Sequence, residues 1–196
     1  MPPVGLILAG GDGARIGGGK ASVAVQGQPL LHYALAAMRE VVRDVAVIAK
    51  PQTVLPRLDG AMVWVEPERP VHPLFGVSEA LALAGGRAVL VCPVDMPFMT
   101  AHSLGALVGA ASPGRDAVLA SGSGVVRPLV GLYMPDAAAT LAAAAHDQQP
   151  VEVAVRALDA KVVELDHELE LFDVNTPDDL LQAAGMFDAL RRVVRV

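Results

Sequence analysis

A short apolar run, Val4 to Leu8, leads into the stretch that most constrains this chain. The run has the length of a buried strand. Six glycines then fall between positions 10 and 19, with Arg15 inside the loop and Lys20 at its end. Glycine lets a backbone turn tightly and approach a ligand with no Cβ in the way. Successive N–H groups in such a loop form a concave anion site. Arg15 adds a planar guanidinium and Lys20 a mobile point charge. A loop of this composition after a first strand is suited to holding phosphate.

Two familiar phosphate loops are excluded by position. The P-loop needs a glycine five residues before its Gly-Lys pair and Ser or Thr after the lysine, and those places hold Ala14 and Ala21. The dinucleotide fingerprint would run from Gly11 through Gly13 to Ile16, where its last glycine is missing. The residues Leu8-Ala9-Gly10-Gly11, Arg15, Ile16, Gly17 and Lys20 instead follow the pattern L-A-G-G-x-x-x-R-[MI]-G-x-x-K. This resembles the nucleotidyltransferases that condense an NTP with a phosphorylated acceptor. In its L-A-G-G form it is most similar to the molybdenum cofactor guanylyltransferase family.

The chain has 196 residues, the size of a single domain spanning 1–196. Apolar residues make up 53% and charged ones 18%, which suits a parallel sheet covered on both faces. No apolar run reaches membrane-spanning length, and the start lacks signal-peptide features, so a cytoplasmic location with no membrane partner is expected. The lone Cys92 excludes an intrachain disulfide and reads as core filling. A net charge of −6, with no long basic run, argues against a nucleic-acid partner, and none is expected.

Strands and helices alternate along the chain, predicting a three-layer, doubly wound, mostly parallel αβα fold. Strands are expected over Val45–Ala49, Met62–Val65, Ala88–Cys92, Ala117–Ala120 and Val162–Leu165. Ser22–Val25 reads as a short extended piece and Gly27-Gln28 as a turn. Helices are expected from Pro29, from after Gly76 to about Ala84, over Ser103–Ala111 and over Ala137–Ala145. Pro67 to Pro73 reads as a loop. Asp95 follows the strongest apolar run, which puts its carboxylate at the same sheet edge as the glycine loop, where open α/β sheets bind ligands. Near the end, Thr176 is suited to cap a helix, with Pro177 first and Asp179 completing the box. The amide of Asn175 is not needed for that cap.

Further motifs carry the same resemblance. Cys92-Pro93-Val94-Asp95-Met96-Pro97-Phe98 matches a C-x-x-D-x-P-[FY] arrangement, which implies that Asp95 holds Mg²⁺. Asp173-Val174-Asn175-Thr176-Pro177 matches the family's N-x-N-T-P, with Asp173 for the first asparagine. Asp173 then adds a second metal-facing carboxylate or is simply tolerated, and both residues stand behind the metal or on the acceptor side. Pro73-Leu74-Phe75-Gly76 matches G-P-L-x-G, except that His72 replaces the leading glycine. As a lone histidine, His72 reads as a loop residue. Gly19 stands where relatives often carry an acid. Arg127 to Tyr133 resembles the family's stretch before its next helix.

The resemblance implies the fold of nucleotide-diphospho-sugar transferases and transfer of GMP from GTP to molybdopterin, with pyrophosphate released and Mg²⁺ as cofactor. Leu8, Ala9, Gly10, Gly11, Gly13 and Lys20 would hold the nucleotide, and Arg15, Lys20 and Asp95 would carry catalysis. Glu66, ending the third strand, would contact the nucleotide sugar or a metal-bound water. A monomer or weak homo-oligomer is expected. Two other readings stand beside this one: the same machinery with CTP or with another acceptor (a sugar phosphate or phospholactate), and a non-catalytic nucleotide-binding protein. CTP-using relatives tend to carry L-A-A-G, so Gly10-Gly11 leans towards GTP.

Overall fold

The computed structural model describes residues 1–11, 19–69 and 72–194. Gly13 and Arg15 therefore lie outside the described residues. The apolar runs form strands as expected: β1 (Val4–Leu8), β4 (Val45–Ala49) and β6 (Val89–Pro93), the last two buried throughout. Strands covered on both faces read as continuous apolar segments. With β5 (Met62–Val65), β7 (Ala117–Gly122), β8 (Val125–Tyr133) and β9 (Ala160–Glu164), they build a seven-stranded sheet of order β5-β4-β1-β6-β8-β7-β9. Only β8 runs against the rest, pairing antiparallel with both β6 and β7. The sheet is thus mostly parallel.

Helices cover both faces. On one side α1 (Leu30–Val41) and α3 (Ala101–Gly109) bury Leu31, Leu35, Met38, Leu104 and Leu107 against the sheet. On the other lie α2 (Pro73–Leu83), α4 (Ala137–His146) and α5 (Val151–Arg156). A third cluster joins α6 (Pro177–Val194) to a small hairpin, β2 (Ala24–Val25) with β3 (Gln28–Pro29), through Phe98, Phe172, Phe187 and Tyr33. The Phe98 and Phe187 ring centres are 4.4 Å apart.

The topology places the site. From β1 the chain crosses outward to β4 and β5, then returns through α2 to β6 on the opposite flank of β1. The winding reverses between β1 and β6, and the crevice outside their carboxyl ends is where such sheets bind ligands. Leu8 and Pro93 are level in the ladder, so the glycine loop and the Asp95 loop leave side by side. The Val94 N–H donates to the Leu8 carbonyl at 3.1 Å, continuing the register past the strand ends.

Several boundaries differ from the sequence reading. Pro29 ends the hairpin and caps α1 rather than opening it, because the turn falls at Gln26-Gly27, both with positive φ. Such a turn twists as the flanking strands do. The extended piece expected over Ser22–Val25 is present as β2, with only Ser22 drawn into a 3-10 turn over Lys20–Ser22, and the short helix α5 was not anticipated. The proline-rich loop ends at His72, since Pro73 already belongs to α2.

Candidate active site

At the switch point a cleft of about 270 Å³ opens. Its lining includes Gly10, Gly11, Lys20, Lys50, Glu66 and Asp95. Lys20 enters from the 3-10 turn, and its Nζ donates to Asp95 Oδ2 at 2.6 Å and to Asn175 Oδ1 at 2.5 Å. The Lys20 and Asp95 side chains are only 15% and 17% exposed. Their attraction is therefore less screened than that of a surface pair.

Asn175 reaches this point through local structure that its sequence encodes. Thr176 and Asp179 cap α6 reciprocally: Asp179 Oδ2 accepts from the Thr176 and Asn175 backbone N–H groups, and the Asp179 N–H donates to Thr176 Oγ1. These bonds hold the Asp179 carboxyl below its usual range, the Asn175 N–H most of all. With its backbone fixed, Asn175 is free to use its amide elsewhere. Its Nδ2 donates to Asp173 Oδ2 at 2.6 Å, which turns Oδ1 towards Lys20. Asp173 is exposed and belongs to the cluster through this amide. The Val174 N–H donates to the Asp95 carbonyl at 2.8 Å and joins the two segments directly.

The base of the cleft on its other flank is built around Glu66. Lys50 and Glu66 each stand one residue beyond neighbouring parallel strands whose ends are level. Their side chains meet, with Lys50 Nζ 3.5 Å from Glu66 Oε1, and Lys50 also donates to the Pro67 carbonyl at 3.2 Å. Burial raises the Glu66 carboxyl above its ordinary value, and Lys50 acts against that rise. Acidification therefore neutralises Glu66 sooner than an ordinary glutamate. Gly10 and Gly76 make room for it. A Cβ on Gly10 would overlap Oε1, and one on Gly76 would lie 2.8 Å from Oε2.

His72 also lines the cleft and is a structural cap as well as a loop residue. Its Nδ1 accepts from the Leu74 N–H, so Nε2 carries the proton and donates to the Gln149 carbonyl at 2.8 Å. Cys92 is fully buried, with its thiol pushed up to about 12 by burial and by Asp95. It is core, as its apolar surroundings suggested.

The structure brings together Leu8, Gly10, Gly11, Lys20, Glu66, Asp95 and Asn175, all singled out from the sequence. Ala9 is buried beside them, its N–H donating to the Ile48 carbonyl. Lys50 was missed. Its signal in the sequence was its place one residue past an expected strand.

The glycine-run motif and this edge geometry agree with comparisons to known proteins. Residues 5–165 match the model of the MobA-like NTP transferase domain. The chain belongs to the MobA-like NTP transferase family. It is accordingly a nucleotidyltransferase. Among relatives, a molybdenum cofactor guanylyltransferase of Cereibacter sphaeroides is 34% identical over 189 residues, covering 93% of this chain and 95% of that protein. Another, from Rhizobium leguminosarum bv. trifolii, is 30% identical, covering 95% and 94%. A solved structure of molybdopterin-guanine dinucleotide biosynthesis protein A from Archaeoglobus fulgidus superposes with a TM-score of 0.81 at 24% identity, covering 95% of this chain and 99% of that one. A Thermus thermophilus 2-C-methyl-D-erythritol 4-phosphate cytidylyltransferase shares the fold with a TM-score of 0.71 at 22% identity, covering 95% and 98%. The fold is thus shared with a protein described as a cytidylyltransferase.

Proposed function

We propose that this chain transfers GMP from GTP to molybdopterin and releases pyrophosphate, with Mg²⁺ as cofactor. The observation that carries the reading is the cation held by oxygens at the switch point. Lys20 lies between Asp95 and Asn175, beside Gly10 and Gly11. The relatives named as molybdenum cofactor guanylyltransferases support the choice of nucleotide and acceptor.

The donor set fits a hard divalent cation. An ammonium already sits against a carboxylate and an amide oxygen, with Asp173 one hydrogen bond away. Among the described residues no three His, Cys, Asp or Glu side chains converge. Mg²⁺ is commonly held by one or two carboxylates with substrate phosphates completing its shell. Asp95 would be its protein ligand, with Asn175 and Asp173 behind it. When bound, Mg²⁺ would neutralise charge on the phosphates.

The remaining work falls to positioning and charge. The Gly10-Gly11 backbone gives the triphosphate a close approach, and Lys20 moves from its carboxylate partner towards the phosphates. An oxygen of the acceptor phosphate supplies the electron pair that forms the new bond to the α-phosphorus. The bond from that phosphorus to the α–β bridging oxygen breaks, and its pair leaves with pyrophosphate. The attacking phosphate is already ionised, so no proton must be removed. Holding both reactants in line accounts for most of such a rate enhancement.

Glu66, expected from the resemblance to contact the nucleotide sugar or a metal-bound water, is assigned here to reading the base. Its two carboxylate oxygens can accept from the N1–H and 2-amino groups of guanine, whereas cytosine offers one amino donor on that edge. The expectation for Gly10→Ala follows: the new methyl displaces Glu66 Oε1, so GTP affinity falls at least tenfold while CTP affinity changes less than threefold. Binding titrations with the two nucleotides check this, and equal losses would limit Gly10 to loop geometry. The function itself is tested by pyrophosphate release. GTP and molybdopterin together, with Mg²⁺, are expected to release it, and omitting either substrate to stop it. Absence of release with both present would refute transfer.

A further inference from the structure

We infer that Arg127 is the anchor for the acceptor's phosphate, a specificity-determining residue on the side of the cleft away from the nucleotide. β6 pairs with β8 only through Gly131 to Tyr133. The earlier part of β8 therefore runs level with and beyond Pro93, onto the carboxyl edge where Asp95 stands.

The strand is irregular at this point. Leu119 pairs with Gly131 but Ala120 pairs with Arg127, so residues 128–130 bulge out of the ladder. The Tyr133 hydroxyl donates to the Pro128 carbonyl and pins the bulge. Bulges of this kind re-aim side chains next to active sites. Here the effect is to set Arg127 opposite Ala120, on the sheet face that also packs Leu171. Facing residues of an antiparallel pair share a face. From Leu171 the chain runs to Asp173 and Asn175, and Asn175 ends on Lys20. By this register Arg127 lies beyond the carboxyl end of β6, on the sheet face towards Leu171 and the 171–175 segment.

Among the described residues Arg127 takes part in no ion pair, and its Nε is buried with no hydrogen-bond partner. A partly buried guanidinium without an acceptor is unfavourable unless a ligand supplies one. The cations that line the cleft, Lys20 and Lys50, are already matched by Asp95 and Glu66. Two phosphorylated reactants must meet here, and the acceptor brings a dianion. A guanidinium presents two parallel N–H groups that suit phosphate. The attacking phosphate would rest two oxygens on Arg127 and point the third at the α-phosphorus. This inference rests on the proposed transfer for the identity of the acceptor but not for the anion site itself.

The test uses the full chain with a saturating GTP analogue bridged by methylene between the α and β phosphates, so that all three nucleotide phosphates occupy their own positions and no transfer occurs. Inorganic phosphate is the probe, read as a melting-temperature shift against chloride of equal ionic strength. Wild type is expected to gain stability with phosphate, Arg127→Lys to keep part of that gain, and Arg127→Gln to lose it. In the transfer assay Arg127→Gln should raise KM for molybdopterin at least tenfold, with KM for GTP within twofold. The remaining buried unpartnered atom described is Glu170 Oε2. If Arg127 serves only to offset that carboxylate through water, both variants will melt lower yet keep the wild-type phosphate response, which overturns the proposal. A phosphate response that depends on Arg127, in an enzyme that does not use molybdopterin, would keep the anion site and reject the acceptor.

Discussion

Asp95→Asn is expected to lower turnover by at least a hundredfold, about 2.7 kcal/mol of transition-state stabilisation, while the protein remains folded. The substitution keeps an oxygen that can accept from Lys20, and the Asp95 backbone carbonyl still holds the Val174 N–H. What it removes is the negative charge that a metal needs in this donor set. Nucleotide affinity without metal should rise, because one charge facing the triphosphate disappears. An ordinary turn acid would behave in the opposite way, losing about 1 kcal/mol of stability with activity retained per folded molecule. Steady-state turnover measured beside the melting temperature distinguishes the two patterns.

Lys20→Ala should weaken nucleotide binding at least tenfold and, unlike Asp95→Asn, should also cost stability. It leaves the Asp95 carboxylate and the Asn175 oxygen without their shared donor in a cleft where both are largely covered. Breaking a fully buried pair costs about 3–5 kcal/mol, and partial exposure here reduces the expected loss to about 1–2 kcal/mol. The double variant Lys20→Ala with Asp95→Asn should recover part of that stability, since no bare carboxylate remains. Stability is read by urea unfolding, and affinity by titration with GTP. Affinity within twofold of wild type would exclude Lys20 from the phosphate site.

Much of this was legible in the chain because the relevant signals are local. β1, β4 and β6 announce themselves as uninterrupted apolar runs, and Thr176, Pro177 and Asp179 encode their own cap. Asp95 could be placed because a residue just past a buried parallel strand must emerge at one edge. The features that escaped depend on pairing. The turn at Ser123-Gly124, both with positive φ, folds β8 back on β7 and makes it the antiparallel strand of a sheet expected to be mostly parallel, in a stretch where no strand was expected. Lys50 meets Glu66 only because β4 and β5 end level. Pro29 was drawn out of α1 by the β2–β3 hairpin, whose Gln26 donates to the Ala184 carbonyl on α6, far along the chain. The role of Asp173 likewise needed the structure, since its carboxylate orients the Asn175 amide.

The central claim is that this cleft joins GMP, and not another nucleotide, to molybdopterin. The most direct measurement offers the enzyme equimolar GTP and CTP with molybdopterin and Mg²⁺, and identifies the product by mass spectrometry. The account predicts the guanine dinucleotide in large excess, with that preference collapsing in Gly10→Ala. A cytosine dinucleotide as the main product, or no dinucleotide at all, would contradict it.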